Sequence, residues 1–255
     1  MERHTIIGVG CAGGRMVNRM VDAGRIEGEF IAINTDRREL EACKAGTKML
    51  IGERSPLRLG GKPPYVVMEA AGDAVQGIAH LCAGKDTVTI VAALGGGAGT
   101  GVAPIVARIA KKQGCRVVAV VTKPFEDRDS LAYALVGLKM LKGIDLLLSV
   151  PLFDLLQILG RHASLGEVFR TGDAMVAKTV ELLPRVLARS GMEEHQEVDV
   201  QAVWAFAEGG CGVARELSHS PAGSGLTSTR GTRHGAPQGS GARRKRQAAR
   251  RVASQ

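Results

Sequence analysis

Two short glycine-rich stretches carry the densest chemical signal in this 255-residue chain. The first to draw notice, Gly95-Gly96-Gly97-Ala98-Gly99-Thr100-Gly101, holds five glycines in seven residues. It lies between an apolar run over 88–93 and a helical pattern over 102–112, so a strand empties into a glycine loop that opens a helix. Glycine permits positive φ and close backbone approach, which lets successive N–H groups converge on an anion at the positive end of the helix. Such a loop is a phosphate cradle. The other stretch, Gly8-Val9-Gly10-Cys11-Ala12-Gly13, follows a strand pattern over 5–9 and opens a helical pattern over 14–23.

By itself that second stretch, with Asp36 about twenty residues farther on, is the fingerprint of a dinucleotide site whose acid holds a ribose hydroxyl. An NAD-linked oxidoreductase is therefore the competing reading. A dinucleotide-binding half needs one glycine turn for its pyrophosphate, whereas this chain supplies a second. Two loops on one phosphate chain suit a triphosphate. A Walker-type loop is absent, because Gly84-Lys85-Asp86 lacks both the preceding glycine at the right spacing and the Ser or Thr that would hold Mg²⁺.

The elements that must position these stretches alternate along the chain. Strand patterns fall over 5–9, 30–34, 88–93, 116–121 and 145–150, and helical patterns over 14–23, 65–83, 102–112, 131–141 and 152–159. This rhythm predicts an α/β fold, a doubly wound parallel sheet with right-handed crossovers, and a ligand at the carboxyl ends of the strands. Apolar residues recur at helical spacing from Leu165 to Val186, which predicts a long helix despite Pro184 near its end. Three segments are expected: a nucleotide-binding domain over 1–190 that includes most of the long helix, a segment over 191–212 that ends in the start of a following helix, and a disordered basic tail over 213–255.

Composition bounds the function. The chain is 45% hydrophobic and only 3% aromatic, so its core is built from Val, Ile, Leu, Ala and Met, as suits a parallel sheet buried on both faces. Of the net charge of +9, eight units fall in 213–255, where nine Lys and Arg face one Glu. That tail has no aromatic residue for base stacking, so specific nucleic-acid recognition is not expected. It is either a flexible arm or an out-of-frame translation, since GC-rich DNA yields Arg, Gly, Pro and Ala when misread. Cys11, Cys43, Cys82, Cys115 and Cys211 have no CxxC spacing and point to neither a metal site nor a disulfide framework. No apolar run approaches the ~18 residues of a membrane span, and a cytoplasmic protein is expected.

Four motifs in order resemble the FtsZ/tubulin GTPases. GGGAGTG at 95–101 is similar to the GGGTGTG signature of that family, with Ala98 in place of the first threonine. Gly8 to Gly14 followed by Val17-Asn18-Arg19-Met20 resembles the family's first loop and helix. Phe30-Ile31-Ala32-Ile33-Asn34-Thr35-Asp36 resembles its second strand and loop, and Val120-Val121-Thr122-Lys123-Pro124-Phe125 the strand before its sugar-binding loop. The resemblance runs from about residue 5 to residue 212.

This resemblance implies a cell-division protein that binds GTP or GDP with Mg²⁺. Cys11, Ala12, Gly13, Gly14 and Arg15 would line the first phosphate loop, and Gly99, Thr100 and Gly101 the second. Arg15 stands where the family usually has Asn. Asn34 and Asp36 would lie near the γ-phosphate and its Mg²⁺, with a helix N-cap as the alternative role of Asp36, and no protein metal-ligand set is implied. Gly60 and Gly61 match a third loop, followed by Lys62 where the family prefers a small residue. Glu126 is the candidate for the ribose hydroxyls, in a loop two residues shorter than the family's, and the family's arginine contact near Ser130 is absent. Asp173 falls where the family places an acid or amide against guanine, and a carboxylate there accepts from both N1 and N2. Phe169, Leu152 and Phe153 are expected in the core.

In the family, hydrolysis is completed between head-to-tail subunits by a loop reading N-x-D-x-x-D. The matching stretch here is Glu197-Val198-Asp199-Val200-Gln201-Ala202-Val203. Asp199 is retained as the catalytic acid, Glu197 replaces Asn, and Ala202 replaces the second acid and cannot orient water. The resemblance thus implies self-association or co-assembly with an FtsZ-like protein, with hydrolysis impaired and the family's second domain not evident. A non-hydrolysing, nucleotide-gated scaffold is the other reading.

Overall fold

The computed structural model describes residues 3–55, 58–125, 127–160, 162–189 and 197–199. These belong to the first of two units of the chain, Met1–Ser220. Apolar residues, mostly Val, Ile, Leu and Ala, make up the central strands of seven: β1 (His4–Val9), β2 (Glu29–Asn34), β3 (Thr47–Leu50), β4 (Thr87–Ala93), β5 (Arg116–Lys123), β6 (Leu146–Pro151) and β7 (Glu197–Asp199). They form one sheet in the order β3-β2-β1-β4-β5-β6-β7, and every pair is parallel. The doubly wound parallel sheet expected from the alternation of patterns is what the chain forms.

Successive strand residues point to opposite faces, and both faces are buried. Ile7, Val9, Ile90 and Val117 face a core closed by α3 (Pro64–Ala70), α4 (Val75–Cys82), α5 (Gly97–Lys112) and α6 (Arg128–Leu141). Ile6, Val91, Val118 and Leu148 face the other core, under α1 (Gly10–Ala23), α2 (Arg37–Glu41), α7 (Leu152–Leu159) and α8 (Leu165–Arg189). The strand order reverses between β1 and β4. In sheets of this kind ligands bind outside the carboxyl ends of the strands at such a reversal.

Several boundaries differ from the sequence expectation. The helical pattern over 65–83 is two helices, α3 and α4, separated by one turn of 3₁₀ helix at Ala71–Ala74 that contains Gly72. Of the short elements, α2 was foreshadowed only by the alternative role of Asp36 as a helix N-cap, which it plays, and β3 was not anticipated; α2 is only five residues, and a side-chain cap rather than an apolar stripe defines it. The long helix α8 has 25 residues and contains Pro184 near its end, where the missing proline N–H removes a single bond to the carbonyl four residues earlier. The expected tail over 213–255 and the boundary at 190 lie outside the described residues.

Candidate functional site

The strands β1 and β4 run straight into helices. Val9, in extended conformation, is the last residue before α1, and Gly10 takes φ +75°, a left-handed value that L side chains rarely adopt. After β4 only Leu94, Gly95 and Gly96 lie outside regular structure, and Gly95 turns the chain at φ +99°. The expected loop over 95–101 is thus shorter than its glycines suggest: Gly97 to Gly101 already belong to α5.

These helical glycines serve contact rather than conformation. A side chain on Gly99 would overlap the carbonyl oxygen of Ala93, and one on Gly101 would come within 2.5 Å of the carbonyl oxygen of Pro64. Gly13 behaves alike, with a Cβ there 2.6 Å from the carbonyl oxygen of Val91. The glycines let α1 and α5 lie hard against the sheet. As a result a Cβ on Gly10 would stand 3.3 Å from the amide nitrogen of Gly99, so the two helix starts touch.

Neither start is capped. In α1 and in α5 no side chain accepts from a first-turn N–H, and neither first turn contains an acid. Two other helices are capped by carboxylates, Asp36 accepting from the N–H groups of Arg38 and Glu39 and Asp127 from that of Ser130, while α3, α4 and α7 start without a side-chain cap as well. Helix N-termini present orphan donors and partial positive charge, which anions satisfy. Two such ends meet here, at Gly10 and Gly99.

Around this cluster the expected residues divide by role. Cys11 is exposed at the start of α1, and the Nδ2 group of buried Asn34 donates to its Sγ at 3.6 Å. The Oδ1 of Asn34 accepts from Thr35 and Asp36, which fixes the turn after β2. Ala12 and Gly14 are half-buried, Gly14 beside the sulfur of Cys43. Thr100 is buried, and its hydroxyl accepts from the N–H of Gly95 at 2.8 Å, so it shapes the glycine turn from within. Gly61 takes φ +71°, and the adjoining Lys62 carbonyl would meet any side chain on Gly97, which seats this third loop on the start of α5.

At the flank of the cluster, Arg15 and Asp173 meet. The Nε of Arg15 lies 3.4 Å from Oδ2 of Asp173, whose side chain is 13% exposed. Burial pushes the Asp173 carboxyl above the usual carboxylate range, against the opposing pull of Arg15 and Arg19. One helical turn earlier on α8, Phe169 is 39% exposed and meets Phe125 edge to face, ring centres 5.6 Å apart. Phe169 was expected in the core and is instead part of the wall beside Asp173. Its spacing of four residues from Asp173 places both on one face of α8, the signal that could have found it. Glu126 falls outside the described residues.

Asp199 is apart from this cluster. The stretch expected as a loop contributes three residues to an edge strand, and the register carries Asp199 to Ser149, Val121, Ala92 and Val9 in turn. It is level with Val9, the residue before α1, and with Ala92 near the end of β4, but three strands from β4, about 14 Å across the sheet. The side chain of Asp199, like all of Ala202, lies outside the described residues.

Asp36 caps α2 through Oδ1, which accepts from the N–H groups of Arg38 and Glu39. Among the described residues no group of three His, Cys, Asp or Glu could hold a metal ion, and no helix is long and apolar enough to cross a membrane.

Comparison with known proteins matches residues 3–159 to the Tubulin/FtsZ family, GTPase domain. The cell division protein FtsZ of Pseudomonas putida is 40% identical over 203 residues, which cover 78% of this chain and 51% of that protein. The chain thus spans about half the length of this relative. Among solved structures, the FtsZ dimer of M. jannaschii superposes with a TM-score of 0.68 at 34% identity, over 81% of this chain and 60% of that one. CetZ from Methanosaeta thermophila shares the fold at 19% identity, with a TM-score of 0.61 over 74% of this chain and 56% of its own.

Proposed function

Because the chain belongs to the Tubulin/FtsZ family, we propose that it binds GTP and GDP with Mg²⁺ and acts in cell division by head-to-tail association, with itself or with an FtsZ-like protein. The observation that carries this reading is the meeting of two uncapped helix starts at Gly10 and Gly99. Their N–H groups would hold the phosphate chain, while Asp173 would read the base beside Phe169 and Phe125. The ribose contact falls to Glu126. Nucleotide binding is assigned to 1–190 and the catalytic region to 191–212.

Magnesium bound here would neutralise charge developing on the transferred phosphoryl group. Such an ion keeps several waters and needs only one or two carboxylates beside phosphate oxygens, so a chain without a dedicated metal cage fits it. Asp36 is the acid on offer, with Oδ2 outside its two capping bonds.

Hydrolysis would need Asp199 of a neighbouring subunit to position water over the γ-phosphate. Its place on an edge strand, well across the sheet from this chain's own cradle, supports action on another molecule rather than in the same one. With Ala202 at the second acid's position, turnover is expected to be weak. The same alanine favours a second reading, a nucleotide-gated scaffold that binds without turning over.

A melting experiment tests the binding. GDP at ~100 times its dissociation constant should add ~2.7 kcal/mol of stability, and ATP and NADH should add none at equal concentration. Stabilisation by NADH alone would return the site to dinucleotide chemistry.

A further inference from the structure

The ion pair between Arg15 and Asp173 bears on which base the site takes. Three purines share an N1–H donor and differ at C2: guanine carries an amino group, hypoxanthine a hydrogen and xanthine a carbonyl oxygen. A carboxylate with both oxygens free accepts from N1 and from the 2-amino group, and so selects guanine. Asp173 does not have both free. Its Oδ2 faces the guanidinium of Arg15 at 3.4 Å, and Asp173 is the largely buried partner while Arg15 is half exposed. A guanidinium has five donors, no acceptor and a permanent charge. Arg19, one turn along α1, adds positive field on the same side.

We propose that Arg15 relaxes the base selectivity of this site, so that nucleotides of xanthine and hypoxanthine are accepted alongside those of guanine. The inference rests on the reading of Asp173 as the carboxylate that meets the base. Oδ2 keeps a lone pair, but a guanidinium, all donors, stands beside it, so Oδ1 is the oxygen left clear for N1–H, which all three purines supply. The 2-amino group then meets a donor instead of an acceptor, and guanine loses its advantage. Xanthine turns the same neighbour to use, because its 2-carbonyl accepts from the guanidinium. Adenine has no N1–H and is rejected as before. Phe169 and Phe125 present only apolar ring surface and do not discriminate at C2.

Equilibrium binding of GDP, IDP, XDP and ADP to the full chain, by displacement of a fluorescent GDP analogue, tests this. A good pair of hydrogen bonds to a base edge discriminates by about tenfold to a hundredfold. IDP and XDP should therefore bind within about tenfold of GDP, and ADP at least about a hundredfold more weakly. Arg15→Asn, at an exposed position, should weaken IDP and XDP about tenfold or more relative to GDP. Guanine selectivity above tenfold in the natural chain, or ratios unchanged in Arg15→Asn, would overturn the inference and leave guanine-nucleotide binding standing. Absence of binding by all four would overturn both.

Discussion

Gly10 and Gly99, from helices α1 and α5, are in backbone contact: a Cβ on Gly10 would stand 3.3 Å from the Gly99 amide nitrogen and 3.2 Å from the Ala98 methyl. That contact joins two helix N-termini that are otherwise far apart in sequence, and it makes each glycine's cost of replacement calculable.

Gly99→Ala places a methyl onto the Ala93 carbonyl oxygen, a backbone atom that cannot step aside. It should destabilise the protein by ~3 kcal/mol, at the upper end of overpacking effects. Gly10→Ala meets a left-handed φ and should cost about 1–2 kcal/mol. Gly96→Ala has open space and an ordinary φ of −93°, so its change should stay within ~0.5 kcal/mol. Urea unfolding gives the order; equal stability of Gly99→Ala and Gly96→Ala would contradict this packing.

The raised pKa of Asp173 sets a pH dependence. A carboxyl that holds its proton more tightly folded than unfolded favours the folded state most at low pH, and that contribution is lost as pH rises through the folded value. Asp173→Asn should therefore raise the melting temperature near neutral pH, with a gain that fades below about pH 4, where the free carboxyl is itself protonated. The same substitution should weaken GDP binding. Melts of both proteins from acid to neutral pH check the sign, and a gain that grows on acidification would refute it.

Thiol reactivity should follow exposure. Cys11 is exposed, while Cys43, Cys82 and Cys115 are buried, and burial pushes the Cys82 thiol up to about 11. Iodoacetamide should modify Cys11 first among these four, and bound GDP should slow the reaction in proportion to occupancy. Peptide mass mapping reads both; prior modification of Cys82 or Cys115 would show that the core opens before the site does.

Phosphate release from GTP should stay near background. Losing a group that acts only in the transition state costs ~10²- to 10³-fold, and Ala202 stands where the second acid belongs. Ala202→Asp should recover turnover only if subunits associate, whereas an added FtsZ-like protein with an intact catalytic loop should supply it to the natural chain. Steady turnover by the purified chain, abolished by Asp199→Ala, would mean that one acid suffices.

The sequence made the five central strands and their parallel sense readable because each is an apolar run bounded by turn residues, as at Thr87–Ala93 and Arg116–Lys123, while the edge strands β3 and β7 are too short to show such a run. It misled where glycines serve tertiary contact. Gly97, Gly99 and Gly101 read as a loop by propensity, yet close packing on Ala93 and on the entry to α3 holds them helical. The candidate site was legible as two halves, and the contact that unites them was not. Arg15 and Asp173 lie 158 residues apart, so no local pattern announces their pairing. Phe169 was misjudged because helical periodicity cannot separate a side chain at the edge of the core from one inside it.

The adjacency of β1 to β4 also governs when a nucleotide site can first exist. Residues 4–9 find their partner in 87–92, so the first helix start waits for a second that is synthesised some ninety residues later. At translation rates of about 5–20 residues per second, that gap is roughly five to twenty seconds. A nascent chain holding only the first half has half a cradle, and non-local parallel pairing of this kind forms late. Nucleotide would then act on the finished domain rather than on its nucleus: it should slow unfolding and leave the refolding rate nearly unchanged.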